Sequence, residues 1–575
     1  MHNIYPLQLN GAFISLFLFL SIFLSACQTS VKENSRNTSI TLAVVNARIW
    51  TGNPSKPWAE SIAVSADSII MVGSDAEVKP MLSTTTQVID AKGQMLTPGF
   101  IDSHVHFVEG GFNLASVQLR DARTPQEFIT RIADFAKTAE PGTWITGGDW
   151  DHTYWGGILP EAAWIDSISN GHPIWLQRLD GHMALANTAA MQAAKISAAT
   201  KDIAGGNMVR KNGKPTGIFK DNAMSLFDGV VAEPSVSFKD KALEAAMEYV
   251  AARGVTAVHH MGSWDNIATF KRAHQAGKLN TRIYAAVPLS SWQQLRDTVL
   301  KQGRGDEWLK IGGLKGFADG SLGSHTAALL EPFTDLPSDT GLLVTPPNEL
   351  YQWVSGADKA GLHIMVHAIG DRAIRQQLDI FEKVTKENGD RDRRFRIEHS
   401  QHIAPADIKR YGQLQVIASM QPYHTIDDGR WAEKLIGPER IRTTYPFRDL
   451  LDTKARIAFG SDWFVAPPTP LEGIYAAVTR RTLDDKNPAG WVPEQKISVE
   501  EALHAYTTSA AFAGYAEKQT GNLEAGKLAD FVLIDRDLTR IPPEQIREAK
   551  IMLTVVGGKV VFDAGKITTP ADANE

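Results

Sequence analysis

Short apolar strands alternate with amphipathic helical stretches over about residues 99–515 of this 575-residue chain. Residues 238–254 are spaced as a helix with one apolar face, and the strand-like run VTAVHHMG follows them directly. A helix between two strands returns the chain to the same edge of the sheet, which makes the two strands parallel. The alternation therefore predicts a parallel α/β domain, with a (β/α)8 barrel as the favoured closed form.

Two features of the sequence depart from this alternation of strands and helices. Residues 42–98 consist of short β-rich runs separated by turns, and similar runs return at residues 521–537 and 551–565. Residues 140–235 hold more Trp, Gly and Pro than a short βα loop requires. We expect small β units at both ends of the chain, and an insertion over the barrel mouth, where long loops often carry specificity.

The N-terminus carries the pattern of a lipoprotein signal. Residues 11–26 contain no charge and are too short for a membrane span, which needs roughly 20 residues, but they suit the apolar region of a signal peptide. The LSAC run that ends at Cys27 resembles the lipobox of bacterial lipoproteins, in which the signal is cut before a lipid-carrying Cys. We predict a signal over residues 1–27, a tether over residues 28–41, and lipid anchoring in the cell envelope, with the periplasm-facing outer membrane favoured. An uncleaved signal anchor is the alternative, because residues 1–10 hold no Lys or Arg.

Composition excludes several other classes of protein. Cys27 is the only cysteine, so neither an internal disulfide nor a thiolate metal cluster can form. The formal net charge is −6, and Lys and Arg are scattered, which is not the footprint of a nucleic-acid binder. The expected partners are a small molecule and, through the anchor, a membrane; a homo-oligomer is left open.

Candidate metal ligands recur where the predicted strands end. His104 and His106 lie two residues apart in LTPGFIDSHVHF, and alternate residues of a strand face the same side. At the C-terminal end of a barrel strand both imidazoles would enter the mouth, where barrel active sites lie. Four further candidates each follow an apolar run: Lys315, His367, His399 and Asp462. One such residue is usually a simple polar strand end, but the recurrence favours a site for Zn²⁺, Mn²⁺, Fe²⁺ or Ni²⁺.

Five blocks in fixed order resemble the amidohydrolase superfamily: PGFIDSHVH, LKGFADGSLGSHTA, VHAIGDRA, RIEHSQ and GSDW. They look closest to its YtcJ-like branch, which includes N-substituted formamide deformylase, and the resemblance extends over residues 42–565. It implies a TIM-like (β/α)8 barrel over residues 99–515, flanked by a composite β-sandwich built from residues 42–98 and 516–575. It also implies a metal-dependent hydrolase that attacks a non-peptide C–N bond, of the amide or formamide type, with metal-activated hydroxide.

The same resemblance assigns a set of metal ligands: His104, His106, Lys315, His367, His399 and Asp462. Binuclear members of the family carry a CO2-derived carbamate on the lysine that matches Lys315. A carbamate is an anionic ligand, whereas an ammonium group would be repelled by two dications, so carboxylation is the expected form of this lysine in the site. An unmodified Lys315 would indicate one ion instead of two, and Lys310 is a lower-ranked alternative. The divalent metal is expected to be zinc.

Three further assignments concern the chemistry around the metal. Asp462 is expected to accept a proton from the attacking water and pass it to the leaving nitrogen. His182, in RLDGHMALAN, is the substrate-side candidate, with a structural capping role as an equal alternative. Asp102 either orients an imidazole or packs one layer deeper.

The sequence leaves the roles of several other residues undecided, and it allows two alternative functions. Four tryptophans form either an aromatic wall for an apolar N-substituent or, more commonly, a loop core: Trp144, Trp150, Trp155 and Trp164. Four histidines stay unassigned: His259, His260, His325 and His424. The alternative functions are a lactone or other ester hydrolase on the same barrel, and a lipoprotein that binds metal or ligand without catalysis.

Overall fold

The computed structural model describes residues 39–231 and 234–565. The predicted signal segment, Cys27 and most of the tether lie outside these ranges. No helix within the described ranges is long and apolar enough to cross a membrane.

Eight parallel strands form the central sheet, and each pairs with its neighbours in chain order. They are β1 (Phe100–Val105), β2 (Val255–Met261), β3 (Arg282–Pro288), β4 (Leu309–Phe317), β5 (His363–Ala368), β6 (Arg396–His399), β7 (Ile417–Met420) and β8 (Ile457–Phe459). The segment after β8 completes the ring, because Trp463 forms a parallel bridge with Val105 at the end of β1. The predicted barrel is confirmed, and its closure lies at the C-terminal ends of the strands.

Helices occupy the connections between the barrel strands. The predicted helix before β2 spans Val236–Ala251, and its first turn is capped by the Ser235 hydroxyl, which accepts the N–H of Phe238 at 3.2 Å. The longest helix in the described part of the chain, Asp371–Asn388, turns Ile374, Leu378 and Phe381 towards the core. The other helices of eight or more residues in the described ranges are Phe107–Leu114, Pro125–Thr138, Trp264–Gln275, Trp292–Gln302, Pro347–Lys359, Pro405–Gln413, Ala432–Arg440, Pro470–Thr479 and Val499–Tyr506.

Both ends of the described chain build one β-sandwich. Its smaller sheet contains Ser68–Gly73, Ser61–Ser65, Leu42–Val45 and Gln87–Asp90, and its larger sheet contains Lys559–Asp563, Ile551–Val556, Phe531–Ile534, Met95–Pro98, Arg48–Trp50 and Trp58–Ala59. N-terminal and C-terminal segments share the larger sheet, where Leu96 pairs with Leu533. Apolar side chains of both sheets, such as Val44 and Val555, meet in one buried core. The composite sandwich implied by the resemblance is confirmed.

A third sheet lies between β1 and β2 in the chain. Its strands, in spatial order, are Gly206–Lys211, Lys214–Asp221, Met183–Ala186, Ile174–Arg178, Ile145–Trp150 and Val117–Gln118. The segment for which the sequence predicts an insertion, about residues 140–235, contains five of these six strands. The four tryptophans pack in the apolar clusters of this unit, and the indole N–H of Trp150 donates to the carbonyl of Leu176 at 2.9 Å. Their interpretation as an aromatic wall for substrate is therefore wrong; they are core.

Candidate metal centre

The six predicted ligands meet at the C-terminal mouth of the barrel. Asp462 lies at the centre of the group, with its Oδ1 atom 3.4 Å from His104 Nε2 and 3.3 Å from His106 Nε2. The Nδ1 atom of His399 lies 3.9 Å from Asp462 Oδ2, and the His399 ring is 4.4 Å from that of His367. Residues more than 350 positions apart in the chain are thus brought together by barrel closure.

Backbone geometry explains how these side chains reach one point. His104 lies on β1 and His106 directly follows its last residue, and the centroids of their rings are 5.8 Å apart. Asp462 has a left-handed φ of 61° in the turn after β8, and its N–H donates to the carbonyl of His104 at 2.7 Å. The closing contact of the barrel therefore also fixes the carboxylate beside the two imidazoles.

Three buried imidazoles use one ring nitrogen in a hydrogen bond to the protein. His104 Nδ1 pairs with Glu398 Oε2 at 2.6 Å, His399 Nδ1 with Gln421 Oε1 at 2.9 Å, and His367 Nε2 with the carbonyl of Gly320 at 3.0 Å. Burial lowers the pKa of His367 and His399 well below its usual range, so both rings are neutral. Neutral imidazoles oriented through one nitrogen present the other as a metal ligand.

The donor set fits a divalent metal ion. The Oδ1 atom of Asp462 is buried and has no hydrogen-bond partner in the described part of the chain. Ligand atoms of His104, His399 and Asp462 all lie within 4.8 Å of one another. Imidazole nitrogen and carboxylate oxygen are the ligands that Zn²⁺ and related ions take, and a cation there would satisfy the unpaired oxygen.

Lys315 is the lysine that reaches this centre. Its side chain is buried on β4, and its Nζ lies 3.2 Å from His104 Nε2. Burial lowers the pKa of Lys315 to about 8, which increases the fraction of neutral amine near neutral pH. The alternative, Lys310, donates to the carbonyl of Tyr515 at 2.9 Å, so its amine is held away from the mouth.

Glu398 and Arg396 are site residues that the sequence interpretation did not identify. Both are fully buried, and the guanidinium of Arg396 donates to Glu398 at 2.7 and 2.9 Å, while Glu398 holds His104. Burial opposes ionisation of Glu398, but the charge of Arg396 outweighs it and holds the pKa of this carboxyl far below its usual range. The RIEH run offered a signal, since a buried Arg and Glu two residues apart on a strand share a face.

Asp102 fits the second of its two predicted positions, one layer deeper than the metal ligands. Its Oδ1 atom accepts the N–H of His104 at 3.2 Å and that of Ser461 at 2.9 Å, and Oδ2 accepts the Ser461 hydroxyl. This carboxylate joins β1 to the segment after β8 through two backbone N–H groups and the Ser461 hydroxyl. Its interpretation as a residue that orients an imidazole is wrong, because Glu398 holds that position.

His182 brings the third sheet to the metal centre. It lies in the turn between Ile174–Arg178 and Met183–Ala186, and its Nδ1 pairs with Asp221 Oδ1 at 2.7 Å. Its ring lies 4.8 Å from that of His367. The sequence-predicted substrate-side histidine therefore faces the same space as the metal ligands.

Three cavities converge on the centre. A small one of about 50 Å³, which we call the polar cavity, is lined by His182, His367, His399, Asp462 and acidic residues of both the third sheet and the barrel. A larger one of about 690 Å³ is lined by His106, Lys315 and apolar side chains, among them Phe317 and Trp353. The third, about 280 Å³, touches ligands that line both of the others. The centre therefore borders a small polar cavity on one side and a larger, mostly apolar one on another.

Comparison with known proteins gives one consistent family. The model of a family described as the amidohydrolase family matches residues 87–562. The chain is 41% identical to the protein LONG AFTER FAR-RED 3 of Arabidopsis thaliana, with 91% of each chain covered. It is 29% identical to the putative amidohydrolase YtcJ of Bacillus subtilis, covering 88% of this chain and 96% of the relative.

Two further similarities concern activity and structure. N-substituted formamide deformylase of Arthrobacter pascens is 26% identical, with 91% of this chain and 98% of the enzyme covered. A solved structure of an uncharacterized metal-dependent hydrolase from Pyrococcus horikoshii superposes with a TM-score of 0.72 at 28% identity, covering 87% of this chain and 99% of that chain.

Proposed function

The chain belongs to the amidohydrolase family, and from this premise we propose that it is a metal-dependent hydrolase of a non-peptide C–N bond in a small molecule. The observation that carries the proposal is the buried, unpaired Oδ1 of Asp462, set 3.3–3.4 Å from the Nε2 atoms of two histidines. The similarity to a formamide deformylase supports the amide type of bond, and the metal-dependent hydrolase of similar fold supports the metal.

Six side chains would hold one or two divalent ions, with zinc as the first candidate: His104, His106, Lys315, His367, His399 and Asp462. When bound, such an ion lowers the pKa of water from 15.7 to about 7 and polarises a carbonyl oxygen. The remaining chemistry is supplied by side chains of the chain itself.

Lys315 would act as a bridging ligand after reaction with CO2. Its neutral Nζ attacks the carbon of CO2, the new N–C bond forms, and one proton is released, which leaves an anionic carbamate. Burial lowers the pKa of the amine to about 8 and so favours the neutral, reactive form. The conversion replaces a cation with an anion next to His104, which suits a site for two dications.

Asp462 would move the proton. Burial opposes its ionisation, but the imidazoles of His104 and His106 outweigh this and hold the pKa of the carboxyl well below its usual range. The ionised carboxylate can accept a proton from the attacking water at one oxygen and release it to the leaving nitrogen. His182, held by Asp221 and facing His367, would bind the substrate.

A matched substrate panel tests this function. The enzyme, reconstituted with Zn²⁺ and bicarbonate, is offered formamides, N-acyl amines, cyclic amides and lactones of similar size. We expect turnover of at least one C–N substrate, with loss of activity after chelation and recovery on addition of metal. Turnover restricted to lactones would indicate an ester hydrolase, and no turnover of any of the four classes would indicate a binding protein.

A further inference from the structure

His424 is a histidine of the barrel mouth to which the proposed metal centre gives no role. It lies in the helix Pro422–Asp428, directly after β7, and lines the polar cavity together with His367, His399 and Asp462. Its Nε2 atom is buried and has no hydrogen-bond partner within the described ranges. A buried polar atom left unpaired is costly, so a ligand that enters this cavity and pairs with the nitrogen would remove that cost.

His424 lies next to the predicted metal ligands but is not one of the six. Gln421, which precedes this helix, contacts a predicted metal ligand: its Oε1 pairs with His399 Nδ1 at 2.9 Å. The compact group of metal-binding atoms consists of His104, His399 and Asp462. His424 lines the polar cavity together with two members of that group, His399 and Asp462.

Two other donors that line the polar cavity are already engaged. Arg178 donates its Nε to His152 at 3.2 Å and forms ion pairs with Asp151 at 3.2 Å and Asp180 at 2.6 Å. Gln401 donates its side-chain amide to Asp428 at 2.6 Å. The Nε2 atom of His424, by contrast, has no hydrogen-bond partner within the described ranges.

The protonation of His424 suits this use. Burial lowers its pKa, while Asp462 and Asp427 raise it and Arg120 and His104 lower it further. The net shift is downwards, so the ring is neutral near pH 7 and carries one N–H to donate.

We propose that His424 is a catalytic residue whose Nε2–H donates a hydrogen bond to the substrate oxygen that gains negative charge when water attacks the carbonyl. The assignment rests on the proposed hydrolase function but not on the type of bond, since amides and lactones develop the same oxyanion. A donor aimed at developing charge stabilises the transition state more than the ground state, so its loss lowers kcat more than it raises KM.

The test compares His424→Phe, which keeps a flat ring without nitrogen, with His424→Asn, which restores a side-chain N–H. We expect His424→Phe to lose about 10²–10³-fold in kcat with KM and metal content near wild type, and His424→Asn to recover part of the loss. The matched control is His402→Phe. His402 also has a buried, unpaired Nε2 but lines none of the cavities described above, so this variant should lose stability and keep kcat.

A binding measurement separates this inference from the proposed function. Methylphosphonate, a tetrahedral anion, is titrated into zinc-loaded wild type and His424→Phe. We expect binding to weaken at least tenfold in His424→Phe and to stay unchanged in His402→Phe. Equal binding of methylphosphonate in all three proteins, or a kcat loss in His424→Phe that matches a loss of metal, would overturn the catalytic assignment even if a substrate is found. A wild type without turnover would refute the hydrolase, while the methylphosphonate comparison would still decide the role of His424.

Discussion

Replacement of Glu398 by glutamine keeps the shape of the side chain and removes its charge. In the structure this carboxylate accepts two hydrogen bonds from Arg396, at 2.7 and 2.9 Å, and pairs with His104 Nδ1 at 2.6 Å, and all three side chains are fully buried. Without the charge, the guanidinium of Arg396 stays buried without its counter-ion. Breaking a buried pair on one side costs roughly 3–5 kcal/mol of folding free energy.

The same substitution should weaken metal binding. The carboxylate can only accept at His104 Nδ1, so it holds the ring proton there and leaves the Nε2 lone pair for a metal. A glutamine amide can rotate and donate to Nδ1, which moves the ring proton to Nε2 and blocks ligation. Loss of such a partner typically costs about 10–100-fold in metal affinity.

Urea unfolding and chelator competition measure the two effects separately. The folded-state pKa of Glu398 is depressed, so its stabilisation is present above the unfolded pKa of about 4.3 and is lost as pH falls towards the folded value. The difference in unfolding free energy between wild type and Glu398→Gln should therefore reach its maximum by pH 7 and decrease at acidic pH. The control is Asp102→Asn, a buried carboxylate that binds backbone groups and no imidazole, which should lower stability and change zinc affinity by less than about threefold. Wild-type zinc affinity in Glu398→Gln would refute this reasoning.

Three further predictions concern single residues. Asp462→Asn should fold normally, because Asn tolerates the left-handed φ of 61° at this position, and should lose on the order of 10²–10⁴ in kcat; near-normal kcat would refute its role as proton carrier. Lys315→Ala should lose at least one of two zinc ions by elemental analysis, with partial rescue of activity by short carboxylic acids; one ion in both wild type and variant would refute the carbamate bridge. Cys27→Ser should block signal cleavage and lipid attachment, measured by mass spectrometry of membrane fractions; a variant processed and membrane-bound like wild type would refute the lipoprotein prediction.

Much of the site could be predicted because ligands at strand ends follow a simple rule. Side chains at i and i+2 share a strand face, which places His104 and His106 together, and parallel strands bring their C-terminal ends to one mouth. The same rule left two positions open for Asp102, and the structure shows the deeper one, where its carboxylate accepts the backbone N–H of Ser461. His424 follows the apolar run of β7, so the strand-end rule could have selected it as well.

The residues that sequence reasoning missed depend on backbone conformation and tertiary packing. Glu398 and His399 are adjacent, and regular strand alternation would send them to opposite faces. The left-handed φ of 74° at His399 breaks this alternation, so both side chains approach His104. The tryptophans could not be assigned for a related reason, because whether Trp150 faces a ligand or a core depends on how the third sheet packs.

Removal and return of the metal would show whether the mouth of this barrel holds a hydrolytic metal centre. The protein is stripped with a chelator, and zinc content and hydrolysis of the best amide in the panel are followed as Zn²⁺ is added back with bicarbonate. We expect activity to be lost on stripping and to return in proportion to bound zinc, saturating at one or two ions per chain. We expect His104→Ala neither to retain zinc nor to regain activity. Hydrolysis that persists in metal-free protein, or zinc that binds equally well in His104→Ala, would contradict the assignment of a hydrolytic metal centre.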